Sequence, residues 1–245
     1  MRRCHNLLGR CTMTKHRHWN WYVSAPFYKR TYIQIAHQLD DDLFACLGTR
    51  TQDAVVADCG CGPGVVTEKF LEEGARRVFA VDVNPRMLSQ ARERLSDAVA
   101  AGQVIPLQRA ADAQLFTDLR HQFLQGGGFD VILFKRSLYN HRDEALPILQ
   151  SAAASLNPGG VLVVIHGERS LRRYAFGPGL RPMSHTPYHL FNRAISKIGQ
   201  VLGLGHYQVY AQSELLDLLR EAAHGGDVEL IPSRQRAYNL GGVIA

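Results

Sequence analysis

Ala54-Val55-Val56-Ala57-Asp58-Cys59-Gly60-Cys61-Gly62-Pro63-Gly64-Val65-Val66-Thr67-Glu68 is the stretch that decides the fold. Its first four residues are apolar, which predicts a short buried parallel strand. An acid, Asp58, stands at the end of that strand. Glycines follow at 60, 62 and 64, and a helical pattern then runs from Val65 to Glu73. Strand, glycine turn and helix in that order form the entry to a nucleotide-binding βαβ unit. Glycine lets the backbone turn tightly and approach a ligand with no Cβ in the way. The helix behind the turn offers N–H groups that have no partner inside the helix.

Beyond that helix, Arg77-Val78-Phe79-Ala80-Val81-Asp82 reads as the second strand. Asp82 ends it beside the glycine turn, where a carboxylate can accept both hydroxyls of a ribose. Pro85 then suits a helix start, and the helix is expected over 85–100, before Gly102. Gln103 to Gln108 is the third strand, and Asp112 beyond it fits a helix N-cap. Gly126-Gly127-Gly128 leads into a fourth strand, Phe129 to Phe134, which runs into Lys135-Arg136-Ser137-Leu138-Tyr139-Asn140-His141. A helix near 143–156 precedes a fifth strand ending at Ile165. His166 and Glu168 emerge at its carboxyl end, the edge where open α/β sheets bind ligands. A histidine there suits acid/base work, because its pKa lies near working pH. A histidine that only lines the pocket through hydrogen bonds is the alternative. The chain closes with a helix over 213–224 and strands over 228–231 and 237–244.

The glycine spacing differs from the dinucleotide pattern G-x-G-x-x-G, whose third glycine falls on Val65. Asp-x-Gly-x-Gly-x-Gly resembles the first motif of class I S-adenosylmethionine (SAM)-dependent methyltransferases. Val81-Asp82-Val83-Asn84-Pro85-Arg86-Met87-Leu88 resembles the second motif of that family, and Leu156-Asn157-Pro158-Gly159-Gly160-Val161-Leu162-Val163-Val164-Ile165 its fifth-strand region. The resemblance is strong over residues 50–165 and weak at the ends. It implies a Rossmann-like α/β fold: seven strands, mostly parallel, the last antiparallel, with helices on both faces. It also implies SAM as cofactor, held by Asp58, Gly60, Cys61, Gly62, Gly64, Asp82, Val83, Asp112 and Lys135. Asp112 would then face the adenine amino group.

On the acceptor side, Ala25-Pro26-Phe27-Tyr28-Lys29-Arg30-Thr31-Tyr32 resembles the N-terminal lid of small-molecule methyltransferases. Tyr28, Tyr139, Asn140 and His166 are therefore the candidates for the transfer site. The family's Asn/Asp-Pro-Pro-Tyr signature for nucleobase acceptors is absent. Methyl transfer to a nitrogen, oxygen or carbon of a small molecule is the expected reaction. In some relatives SAM is itself the substrate and cyclises to azetidine-2-carboxylate with release of methylthioadenosine, which is the alternative. An RNA methyltransferase and a non-catalytic SAM-binding subunit are the remaining readings.

The chain has 245 residues and net charge +6. That is enough for one large α/β domain, expected over 19–245, with a lid segment at 19–48 and a cap insert at 167–210. Residues 1–18 carry Arg2, Arg3, Arg10, Lys15 and Arg17 with no acid, and read as a flexible basic tail. Residues 169–210 carry six more basic residues and no acid, leaving 17 basic against 22 acidic elsewhere. Positive charge confined to a tail and one insert argues against broad tracking of nucleic-acid phosphates. Five scattered cysteines make no disulfide framework and suit a reducing, cytoplasmic setting. Cys59 and Cys61 lie too close for the usual zinc spacing and read as small residues filling a bend, so no metal is expected. No apolar run is long enough to span a membrane. A homodimer is compatible with the sequence but not specified by it.

Overall fold

The computed structural model describes residues 40–138, 144–167, 210–232 and 238–244, together with Ala194 and Ile198. Its elements, in chain order, are α1 (residues 40–47), β1 (Val55–Cys59), α2 (Val65–Glu72), β2 (Arg77–Asp82), α3 (Pro85–Arg94), α4 (Ser96–Ala100), β3 (Val104–Gln108), α5 (Ala113–Phe123), β4 (Phe129–Lys135), α6 (Ala145–Ala153), β5 (Leu156–Gly167), α7 (Gln212–Ala222), β6 (Asp227–Pro232) and β7 (Tyr238–Ile244). The strands form one sheet in the order β3-β2-β1-β4-β5-β7-β6. The first five in that order run parallel. β7 lies antiparallel to β5 on one side and to β6 on the other. This is the Rossmann-like α/β architecture, with a mostly parallel sheet.

Alternation along the strands sends side chains to opposite faces. On one face Val56, Val131, Leu133 and Val163 pack with Leu43, Phe44 and Leu47 of α1 and Val66 and Phe70 of α2. On the other, Val55, Ala57, Cys59, Ile132 and Phe134 pack with residues of α5, α6 and α7. Phe79, Phe116, Phe129 and Phe134 meet there edge to face, with ring centroids 5.8–6.2 Å apart. All four are fully buried, and burying each contributes on the order of 2 kcal/mol.

The amino-terminal edge of the sheet is laced by polar side chains. Asp130 Oδ2 accepts from the Val55 N–H at 2.7 Å, and its Oδ1 accepts from Asn157 Nδ2 at 2.8 Å. Asn157 Oδ1 in turn accepts from the Gly128 N–H at 2.8 Å. Arg120 donates to the carbonyls of Gly126, Gly127 and Ala154, so it ties the end of α5 to the turn after α6.

Several element boundaries differ from the sequence expectation. β1 continues two residues past Ala57, so Asp58 lies inside the strand rather than beyond it. The helix expected over 85–100 breaks at Leu95, whose φ of −111° is not helical. Leu95 is buried against Cys61, Ala80, Leu88 and Val104 of the sheet and turn, and reaching them takes the backbone out of helical dihedrals. α7 starts one residue earlier than expected, and Glu214 serves its start by accepting from the Ala211 N–H. The expected tail at 1–18, most of the lid at 19–48 and most of the insert at 167–210 lie outside the described residues.

Candidate functional site

The carboxyl ends of β1, β2 and β4 converge on the glycine turn. Gly60 N and Cys61 N both donate to the Val81 carbonyl, at 2.7 and 3.0 Å, which ties the turn to β2. Gly60, Gly62 and Gly64 all have positive φ, at 83°, 56° and 80°. Their surroundings differ. A Cβ on Gly60 would fall 2.4 Å from Ser137 Cβ, and one on Gly64 would fall 3.0 Å from Leu95 and 3.1 Å from Ala91. A Cβ on Gly62 would meet nothing within 4 Å. Two of the glycines thus let protein pack on protein, while the middle one faces open space. Cys61 points its side chain down into the cluster with Leu95. Burial pushes the Cys59 and Cys61 thiols well above their ordinary range, so they stay protonated.

Asp82 closes the other side of the turn. Its Oδ2 accepts from the Gly62 N–H at 2.9 Å and its Oδ1 from the Asn84 N–H at 2.8 Å. Burial raises its pKa, and these two amide bonds oppose the rise. A carboxylate has about four lone-pair directions, so two acceptor sites remain. Val83 beyond it is half-buried. Asn84 caps α3 by accepting from the Arg86 N–H at 3.0 Å.

Asp58 lies beneath the turn and is 1% exposed. Its Oδ2 accepts from Thr67 Oγ1 of α2 at 2.7 Å. Burial raises its pKa to about 6; the Thr67 bond and Lys135 lower it, while Asp82 and Asp40 raise it. Lys135, at the end of β4, pairs its Nζ with Asp40 Oδ1 of α1. Arg136 follows with a φ of 58°, a left-handed conformation costing a non-glycine residue about 1–2 kcal/mol. Ser137 Oγ donates to the Cys59 carbonyl at 2.5 Å, which seats the β4 loop against Gly60.

Asp58, the three glycines, Cys61, Asp82, Val83 and Lys135 are thus gathered at one sheet edge. Asp112 sits one strand further along. It is the N-cap of α5, its Oδ1 accepting from the Leu115 N–H at 2.9 Å and from Arg109 at 3.3 Å. His166 lies in β5, opposite Asn239 of β7. Tyr28, Tyr139 and Asn140 lie outside the described residues. Among the described residues no group of three His, Cys, Asp or Glu side chains could hold a metal.

Sequence reasoning missed Thr67, Ser137 and Asp40. Thr67 is readable in retrospect, one turn into the helix behind the glycines. Asp40 heads the spacing Asp40, Leu43, Phe44, Leu47, an apolar helix face with an acid at its end. Ser137 carries no signal in the sequence.

Residues 56–160 match the family described as "Methyltransferase domain". The ubiquinone/menaquinone biosynthesis C-methyltransferase of Vibrio cholerae is 28% identical over 207 residues, covering 82% of this chain and 72% of that protein. Among solved structures, the magnesium protoporphyrin IX methyltransferase of Synechocystis PCC 6803 with bound S-adenosylhomocysteine superposes with a TM-score of 0.61 at 17% identity. The match covers 92% of this chain and 96% of that one. An O-methyltransferase family protein of Burkholderia thailandensis superposes at 0.60 and 19% identity; this chain spans 56% of its length.

A parallel sheet with a glycine turn and an acid at its carboxyl edge defines a nucleoside-binding α/β protein. The segment that builds this edge, residues 56–160, is the one that matches the methyltransferase domain family, and a solved Synechocystis PCC 6803 methyltransferase of the same fold carries bound SAM. The residues present fit such a cofactor. Gly62 opens onto free space, and the buried atoms Asn84 Nδ2, two residues past Asp82, and Asp40 Oδ2, in the carboxylate paired with Lys135, have no hydrogen-bond partner.

Proposed function

We propose that this protein transfers a methyl group from SAM to a small-molecule acceptor. One observation carries the reading: Asp82 grips the Gly62 amide at the open face of the turn and keeps lone pairs for a ribose. When bound, SAM supplies a methyl group already activated on a sulfonium. The protein's task is then placement rather than bond making. Gly60, Gly62 and Gly64 shape the backbone wall, with Cys61 and Val83 beside it. Asp82 binds the ribose hydroxyls, and Asp112 orients the adenine from its place at the head of α5. Asp58 and Lys135 supply charge beneath the turn.

On the acceptor side we assign Tyr28, Tyr139 and Asn140 to orienting the acceptor and excluding water. His166 accepts a proton at a ring nitrogen where the acceptor must lose one. Residues 19–245 act as one catalytic domain, with 19–48 as lid and 167–210 as cap. The names of the relatives, C-methyltransferase and O-methyltransferase, support carbon or oxygen as the attacked atom.

The test is chromatography of products from SAM with and without a metabolite extract. S-adenosylhomocysteine that forms only with the extract is expected. Methylthioadenosine released from SAM alone, or no binding of SAM in a calorimeter, overturns the reading.

A further inference from the structure

Asp40 belongs to none of the sequence motifs of the site, and Lys135, at the end of β4, is the group it pairs with. Asp40 precedes Leu43, Phe44 and Leu47 at i+3, i+4 and i+7, so its carboxylate shares the face of α1 that packs on the sheet. Lys135 shares a face with Leu133 of the same strand, the face on which Asp58 of β1 also lies. Their side chains are 1% and 8% exposed. Two ions held out of water persist only if each is matched. Here the match is across 95 residues of sequence.

We propose that Asp40 and Lys135 are a positioning pair for the donor pocket: together they set the charge that Asp58 carries beneath the glycine turn, and with it the hold on a cationic donor. The inference rests on the pocket taking SAM. The groups facing Asp58 are Thr67 from α2, Asp40 from α1, Asp82 from β2 and Lys135 from β4, with the neutral thiols of Cys59 and Cys61 beside it. Lys135 is the cation of that set and favours the Asp58 carboxylate. Asp40 and Asp82 are like charges and disfavour it. Losing one half of the pair therefore acts on Asp58 in the opposite sense to losing the other. A purely structural pair would not behave this way, because breaking either half would weaken packing alike.

Two measurements test this: calorimetric titration with SAM between pH 5 and 8, and carboxyl NMR titration of Asp58 in the ligand-free protein. In the wild type, SAM affinity falls as pH drops through the Asp58 midpoint. Asp40→Asn moves both midpoints down by about one pH unit, and Lys135→Met moves them up by a similar amount. Asp40→Asn combined with Lys135→Met, which leaves no unmatched charge, returns them near the wild type. Midpoints that stay fixed, or that move the same way in both single variants, overturn the proposal. If Lys135→Met does not fold, Asp40→Asn decides alone, and a midpoint that stays or rises overturns the pair's role. The NMR titration needs no ligand. Failure of the wild type to bind SAM would therefore sink the functional reading while the pair is still judged on its own.

Discussion

The three glycines of the turn share a conformation and differ in what surrounds them, so the same substitution has different consequences at each. Gly60→Ala drives a methyl into Ser137 and strains the backbone, together costing about 3 kcal/mol or more. Gly62→Ala adds only the strain of a left-handed alanine, about 1 kcal/mol, because nothing lies within 4 Å. Its methyl projects into the open space that the proposed function assigns to the donor. Urea unfolding should find the Gly60 variant much the weaker protein. Calorimetry should find the Gly62 variant folded yet binding SAM at least tenfold more weakly, roughly the 1.4 kcal/mol of one lost contact. Equal loss of stability at both positions would contradict the assignment of Gly62 to the ligand face.

At the scale of elements, the starts of two helices behind the carboxyl edge are held by side-chain caps. Asn84 accepts from the Arg86 N–H at the head of α3, and Asp112 accepts from the Leu115 N–H at the head of α5. Asn84→Ala and Asp112→Ala should each cost about 1 kcal/mol in unfolding experiments, with hydrogen exchange hastened first at Arg86 or Leu115. Unchanged protection at those amides would show that the caps are not what holds the helix starts. The strand–turn–helix units were legible in the sequence because their signals are local: apolar runs, glycines at fixed offsets, Pro85 at a helix start. The break at Leu95 was not, because Leu88, Ala91 and Leu95 keep a helical period and only the position of the sheet decides the bend. Asp40 was legible only as an acid heading an apolar helix face, and its pairing was not, for a related reason. Nothing near it in sequence announces a partner at Lys135. Asp82 was half legible: its place at the strand tip could be read, but not its grip on the Gly62 amide.

For the molecule as a whole, the buried Asp58 links stability to pH. Its folded pKa of about 6 exceeds the unfolded value of 3.8, mainly through burial, so the folded state binds this proton more tightly. The group therefore favours folding at low pH, and that contribution is lost as pH rises between these two values. Above pH 6 the fold carries an ionised acid at a cost of about 2–3 kcal/mol. Asp58→Asn keeps an acceptor for Thr67 and removes the cost. It should unfold at higher urea than the wild type at pH 8 and lose most of that advantage at pH 4; it should bind SAM more weakly at pH 8 and about as well as the wild type at pH 4. A variant no more stable than the wild type at pH 8 would refute this linkage. The lacing of Asp130, Asn157 and Arg120 lies at the opposite end of the strands and takes no part in that trade-off. The foundation and the rim can consequently be redesigned apart: loops grafted at the mouth could retune which metabolite enters, while the anchoring underneath keeps the scaffold upright.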